Sequence, residues 1–279
     1  QEPWRKIHPY EVSAAQNHSV SKPTYIIEWI PVDTLIEATR QVERDHFWFQ
    51  GFRRFLQPFL LRASQNQPLR ILDCGCGTGW NLSVLEEFGE TYGLDITFSG
   101  LLHARNNNQN RLTLATAASL PFLDRTFDLV TSFDVLYCLD DEAEGLALAE
   151  MFRLLRPNGS AIIHVPAMQF LRGNHSVFVH EVRRYSRRQL IRSLEQAGFQ
   201  VKRITYTNAT LFLPILAIRL FQQLRGLRST DNAKSDFGQP YKPLNVLLTK
   251  ILTLEASMIN WTNLPFGTSL LCLATKSQS

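Results

Sequence analysis

"ILDCGCGTGWNL", residues 71–82, sets three glycines at alternate positions between an apolar run and an amphipathic continuation. The apolar "LRILDC" (69–74) reads as a buried strand, and Thr78–Phe88 as a helix with Leu82 and Leu85 on one face. A strand, glycine turn and helix in that order place backbone N–H groups and a helix N-terminus at one sheet edge, where nucleotide-type ligands bind. An acid, Asp73, stands two residues before Gly75, the first of the three. The ligand class is what remains to be read.

A dinucleotide loop needs G-x-G-x-x-G, and Trp80 occupies the third glycine position. A phosphate loop needs Lys-Ser/Thr after the glycines, and none follows. Cys74 and Cys76 have no nearby cysteine or histidine to complete a metal ligand set. Asp95 closes a second strand, "TYGLDI" (91–96), about twenty residues after the loop's acid, where a carboxylate can accept from both ribose hydroxyls. Asp73 is then available to face an amino group or to orient the turn. Together these features suit a nucleoside carrying an amino acid better than one carrying a pyrophosphate.

Outward from this unit, the pattern alternates. A helix near 98–105 ends at "NNNQN", and strands follow at 111–117 and 127–136. Asp140 and Asp141 can cap a helix over 142–155, with Glu144 near its N3 position, and "RPNG" turns the chain into a strand at 160–165. Ser186 and Gln189 fit a capping box for a helix ending at Gly198, before strands at 199–206 and 268–276. The reading is α/β, a doubly wound, mostly parallel sheet. Roughly sixty residues separate the last two strands, too many for an ordinary loop. They hold the apolar run 209–221, the polar "RSTDNAKSDFGQPYKP" (228–243) and a helix over 244–258. The chain divides into an N-terminal helical lid (1–68), a core (69–206), a helical insertion (207–263), and a final strand with its tail (264–279).

The chain's 279 residues, 44% of them hydrophobic, suffice for one large domain with an elaborate cap. A net charge of +4 gives no general argument for nucleic acid, and none is expected as a partner. The four cysteines form no disulfide framework, which favours a reducing, cytoplasmic compartment. The opening "QEPWRKIHPYEV" has no apolar stretch and so reads as no secretory signal. As a helix, the 209–221 run spans about 20 Å against the roughly 30 Å of a bilayer core, and it carries Pro214 and Arg219. It does not cross a membrane.

"ILDCGCGTGWNL", "GLDIT", "LPFLDRTFDLVTSFDVLYCLDD", "LLRPNGSAIIHVPA" and "LEQAGFQV" resemble, in order and spacing, the motifs of class I S-adenosylmethionine-dependent methyltransferases of the type 11 branch. The resemblance covers 69–206. "DHFWFQGFRR", "HEVRRYSRRQL" and "NLPFGTSLLCLATK" resemble a bacterial subgroup with broadly unassigned substrates. It implies a seven-stranded Rossmann-like sheet with S-adenosylmethionine as cofactor. Asp73, Gly75, Cys76, Gly77 and Gly79 would then line its methionine half. Asp95 would hold the ribose, Ile96 would pack on the adenine, and Phe133 would stand near the methionine chain. Where the family often has an acid before its adenine-facing pair, this chain has Thr116, followed by Ala117 and Ala118 for backbone contacts.

Methyl transfer is an in-line displacement in which a sulfonium leaves as a neutral thioether, so alignment carries much of the catalysis. A base is needed only where the acceptor sheds a proton in the step. The resemblance points to His180 for that role, with Tyr185 orienting the acceptor; the plain alternative for His180 is a surface network. His164 reads as structural, and His46 and Trp48 as parts of the lid. Arg183, Arg184, Arg187, Arg188 and Arg192 form either a solvated helix face or a cluster for an anionic acceptor or an acidic membrane surface. Arg219, Arg225 and Arg228 beside the apolar run fit an interfacial helix or a cap over a lipid-linked acceptor. The favoured function is methyl transfer to a small or lipid-linked acceptor. A catalytically silent cofactor-binding or membrane-docking protein is the alternative, and Trp80 opposes a nicotinamide-dependent oxidoreductase. Oligomeric state is not readable here.

Overall fold

The apolar run ahead of the glycines forms β1 (Leu69–Cys74), an inner strand of a seven-stranded sheet. The computed structural model describes residues 30–227, 238 and 240–277. The N-terminal 29 residues, most of the polar stretch 228–243 and Arg228 lie outside the described residues. The other strands are β2 (Gly89–Asp95), β3 (Leu112–Leu114), β4 (Phe127–Phe133), β5 (Leu155–Pro166), β6 (Phe199–Thr207) and β7 (Ser269–Lys276). Their order is β3-β2-β1-β4-β5-β7-β6. The pairs from β3 to β5 are parallel, while β7 runs antiparallel between β5 and β6.

This order matters for the site. From β1 the chain winds outward to β2 and β3, then returns to β4 on the other side of β1. The carboxyl ends of β1 and β4 therefore flank a topological switch point, where open α/β sheets bind ligands.

Alternation along each strand supplies two apolar faces. Ile71, Leu129, Ile162 and Leu271 face one side, covered by α2 (Phe47–Ser64), α9 (Lys242–Ile259) and the short α3 (Trp80–Leu85). Leu72, Val130, Ile163 and Cys272 face the other, covered by α5 (Asp141–Leu154) and α7 (Arg187–Gln196). The remaining helices are α1 (Ile30–Arg40), α4 (Phe98–Asn106), α6 (Asn174–Phe178) and α8 (Phe212–Leu224). Because Phe55, Leu56, Phe59 and Leu60 are wholly buried, α2 is a layer of the core rather than a hanging lid.

The caps act as the sequence implies. Asp140 accepts from Ala143 N at 2.8 Å, and Ser186 and Gln189 exchange both bonds of a capping box. Other boundaries move. "RPNG" does not precede β5 but lies inside it: Leu155 pairs with Phe127 and Ser160 with Leu129, so 156–159 loop out as a bulge with Asn158 left-handed. The helix after the glycines stops at Leu85 and tightens over Glu86–Phe88. The edge strand β3 keeps only three residues of the seven expected.

Gly51 marks where α2 and α9 meet most closely. A Cβ there would lie 2.5 Å from Leu252 Cδ1 and 2.8 Å from Leu252 Cβ, and the second atom cannot swing away by changing rotamer. We expect Gly51→Ala to destabilise the fold by about 1–3 kcal/mol through overpacking, despite alanine's better helix propensity. Urea unfolding measures it; a variant as stable as the parent would show that the two helices part without cost.

Candidate active site

Gly75, Gly77 and Gly79 all adopt positive φ, at 85°, 50° and 76°. A Cβ on Gly75 would also lie 2.1 Å from Val135 Cγ2, and one on Gly79 2.7 Å from Ala104 Cβ. The missing side chains thus allow left-handed backbone and let the segment after β4 and helix α4 close on the loop. Gly75 N and Cys76 N donate to Leu94 O at 2.7 and 2.9 Å, which fastens the loop to β2. Cys76 contributes backbone only, since its side chain is buried against Gly93 and Leu82.

Asp95 completes this fastening. Its Oδ2 accepts from Gly77 N at 2.7 Å, and its Oδ1 from Thr97 N and Oγ1 at 2.8 and 2.6 Å. Three donors fill three of a carboxylate's roughly four acceptor positions, leaving room for one hydroxyl rather than two. Ile96 follows it, half-buried. From the N-terminal side, Ile36 of α1 approaches Gly77, and Glu43 accepts from Thr78 Oγ1 at 2.5 Å. Burial pushes the Glu43 carboxyl up, against the pull of Thr78 and Arg53.

Asp73 lies beneath the loop, fully buried. Its Oδ1 accepts from Thr131 Oγ1 at 2.7 Å, and its Oδ2 has no partner among the described residues. Burial raises its carboxyl to about 7; the Thr131 bond opposes the rise and the nearby Asp95 charge adds to it. A buried carboxylate oxygen left open at a switch point fits a cationic donor such as an ammonium group. The resemblance-derived residues therefore suit the amino-acid end of the cofactor on a structural observation of their own. Thr131 escaped the sequence reading, although a polar residue in the apolar run "FDLVTSF" is a readable signal.

The adenine side differs from expectation. Thr116 folds back on its own turn, accepting from Ala118 N at 3.3 Å, so that amide is partly taken within the protein. Ala117 is buried. Phe133 packs edge-on against Phe52 of α2, with ring centroids 5.2 Å apart.

The residues expected to meet the acceptor separate. His180 is exposed, in a left-handed turn after α6. Tyr185 is buried; its hydroxyl donates to Leu136 O at 3.3 Å, and burial followed by Glu144 raises its phenol well above the ordinary range. It is built into the wall, not presented to a substrate. The five-arginine cluster is likewise corrected. Arg183 binds Asp141, Glu144 and Leu139 O, and Arg184 binds Ala167 O and Thr268 O, because loop carbonyls inside the protein need donors. Arg187, Arg188 and Arg192 alone stay exposed on α7. His46 caps α2, its Nδ1 accepting from Trp48 N at 3.2 Å. His164, by contrast, comes within 3.0 Å of Asp134, just after β4.

Comparison with known proteins agrees with this geometry. The profile of the family described as "Methyltransferase domain" matches residues 44–204, more than half of the chain. An uncharacterized protein of Methanocaldococcus jannaschii is 32% identical over 156 residues, 56% of this chain and 64% of that one. A Mycolicibacterium smegmatis protein named as a probable S-adenosylmethionine-dependent methyltransferase is 26% identical over 162 residues, 57% of this chain and 61% of that one. The chain thus spans less than two thirds of the length of these curated relatives. Among solved structures, the 1,6-didemethyltoxoflavin-N1-methyltransferase of Burkholderia thailandensis, with 1,6-didemethyltoxoflavin and S-adenosylhomocysteine bound, superposes with a TM-score of 0.55. That match covers 98% of this chain and 100% of the other at 16% identity, a likeness of fold.

Asp73 gives the site a pH signature. An aspartate raised from its ordinary 3.8 to about 7 in the folded protein keeps its proton between those limits. Its contribution therefore favours the folded state at low pH and declines as pH climbs from about 4 to about 7. An ammonium placed on Oδ2 demands the ionised form. S-adenosylhomocysteine should bind about tenfold more weakly at pH 6 than at pH 8, releasing about one proton at the lower pH. Calorimetry in two buffers of different ionisation enthalpy measures both, and Asp73→Asn should remove the dependence. Flat affinity across this range would place the amino group elsewhere.

Proposed function

The chain belongs to the methyltransferase-domain family, and from that membership we propose that it transfers the methyl group of S-adenosylmethionine to a small or lipid-linked acceptor. The observation that carries the reading is the buried Asp73 Oδ2, without a partner among the described residues, beneath a left-handed glycine loop that Asp95 clamps. Asp73 and the loop from Gly75 to Gly79 would hold the methionine half, Asp95 the ribose, and Ile96 with Ala117 and Ala118 the adenine. When bound, the cofactor supplies an electrophilic methyl group on a sulfonium. The chain's own part is to fix that end, exclude water and align the acceptor.

A small-molecule acceptor accords with the printed name of the Burkholderia enzyme. The lipid-linked form rests on α8. None of its 13 residues is buried, and Leu213, Ile218, Phe221 and Leu224 face outward, with Leu224 87% exposed. Leu254, Met258 and Trp261 continue the apolar surface on and after α9. A groove between α6 and α8, lined by Asn174, Ile218, Phe221 and Arg225, offers apolar floor and a basic rim. No described helix is long and apolar enough to cross a membrane. Contact would be with the surface of the bilayer, α8 lying along the interface. The catalytically silent alternative shares every one of these features and differs only in turnover.

The test is transfer of label from methyl-labelled S-adenosylmethionine into the small-molecule and lipid fractions of a cell extract. Label appearing in the lipid fraction is the expected result; label confined to water-soluble products would remove the lipid-linked acceptor, and none at all would leave the silent reading. In parallel, flotation with anionic and neutral vesicles should recover the protein on the anionic ones. Arg225→Glu should weaken that binding by more than about fivefold, given about 1 kcal/mol per arginine near an anionic surface. Equal recovery with both vesicle types would remove the electrostatic part of the contact.

A further inference from the structure

On the α2 face of the sheet, β5 places one histidine among apolar neighbours. His164 is 3% exposed, its ring centroid 4.6 Å from that of Phe52. Its Nδ1 lies 3.0 Å from Asp134 Oδ2. An ionised carboxylate only accepts, which assigns the hydrogen to Nδ1. Nε2 is then a buried acceptor with no partner among the described residues. An aliphatic side chain would fill this position without an unpaired polar atom, so the histidine serves its partner and not the packing.

Asp134 is held in an unusual way. It is bonded twice to the same residue, since its own N–H donates to His164 O at 3.0 Å. Its φ is +55°, left-handed without being glycine, a conformation that surrounding structure must enforce and that clusters at functional sites. Yet the side chain is 44% exposed, and its second oxygen, Oδ1, makes no hydrogen bond among the described residues. The next residue, Val135, is the one that abuts Gly75. Asp134 thus opens the segment that closes on the glycine loop, directly after the carboxyl end of β4.

We infer that Asp134 meets the methyl acceptor through Oδ1 and takes the proton that the acceptor's nucleophilic atom sheds, while His164 is the positioning residue that fixes the carboxylate through Oδ2. This rests on the methyltransferase reading above, and it replaces His180, which no contact brings to the loop. The acceptor class is one whose nucleophile is an O–H or N–H. That atom forms a bond to the methyl carbon as the carbon's bond to sulfur breaks. The S–C pair stays on sulfur as a neutral thioether, and the O–H or N–H pair stays on the acceptor as its proton passes to Asp134. A carboxylate is base enough, because the attacking atom gains positive charge in the displacement and its proton becomes strongly acidic.

The experiment uses methyl-labelled S-adenosylmethionine, small-molecule and lipid fractions of a cell extract as acceptor, and calorimetry with S-adenosylhomocysteine. Asp134→Asn should lower turnover about 10²-fold or more, with S-adenosylhomocysteine affinity within twofold of the parent. His164→Leu should lower kcat about tenfold, and His164→Asn, which keeps an N–H donor at the Nδ1 position, should recover most of it. Nitrogen-15 spectra of histidine-labelled protein should show the Nδ1–H form of His164 in the parent and a changed signal in Asp134→Asn. Turnover within threefold of the parent in Asp134→Asn, or a parallel loss of S-adenosylhomocysteine binding, overturns the inference. A parent protein that binds no S-adenosylhomocysteine or transfers no label overturns the methyltransferase reading itself, a distinguishable result.

Discussion

The Asp95 carboxylate holds the site together. It lies at the end of β2, yet two of its bonds reach the start of α4 and the third reaches across to Gly77. Those three bonds set the path of the loop over the sheet edge. Without them, three successive left-handed glycines would be free to explore many conformations, because glycine loses more backbone entropy on folding than any other residue. The loop in turn fixes the crevice. Gly75 admits Val135 and Gly79 admits α4, so the segment after β4 and the helix after β2 both come to rest against it. Asp73, beneath the loop so closed, is buried.

The insertion before β7 is secured by a second set of buried charges. Glu255 of α9, almost wholly buried, accepts from Ala209 N, Thr210 N and Thr210 Oγ1 just ahead of α8. Arg203 of β6 donates to Ile259 O, the last residue of α9, and to Thr262 O just beyond it, satisfying carbonyls open at the same C-terminal end. At its start, Asn245 accepts from Phe47 N at 2.8 Å and donates to Asp45 O at 2.7 Å, and Leu252, Ala256 and Ile259 pack α9 into the core. None of α8's residues is buried, though its start is fixed by Glu255. Two helices of similar apolar content thus end in different environments. One completes the core, and the other carries its apolar side chains outward on a fixed base.

Local signals were legible in the sequence and non-local ones were not. The glycine spacing, Asp95 at the end of its strand, the Asp140 cap and the Ser186–Gln189 box all act within a few residues, so one stretch of chain contains the whole motif. The "RPNG" bulge misled because a turn sequence was read as a boundary, whereas pairing on either side of it continues one strand. Tyr185 and Arg184 misled for a different reason. A polar residue beside a motif looks available until its partners are known, and those partners come from 136, 167 and 268. Thr131 with Asp73 and His164 with Asp134 are pairs made only by the sheet, between strands distant in sequence.

These two strand-made pairs share a physical logic. In each, a side chain on the α2 face of the sheet donates to one oxygen of a carboxylate at the strands' carboxyl ends, and the other oxygen has no hydrogen bond among the described residues. One carboxylate is buried and the other exposed, and that difference sorts their tasks. A buried, raised carboxyl suits a permanent cation that ionises it on arrival and neutralises it there. An exposed carboxylate is open to an incoming acceptor, which suits a group proposed to accept a proton. The glycine loop lies between them: Asp73 immediately precedes it in the chain, and Val135 after Asp134 packs on Gly75. The sheet, not either loop, fixes both pairs, since Thr131 of β4 and His164 of β5 are strand residues.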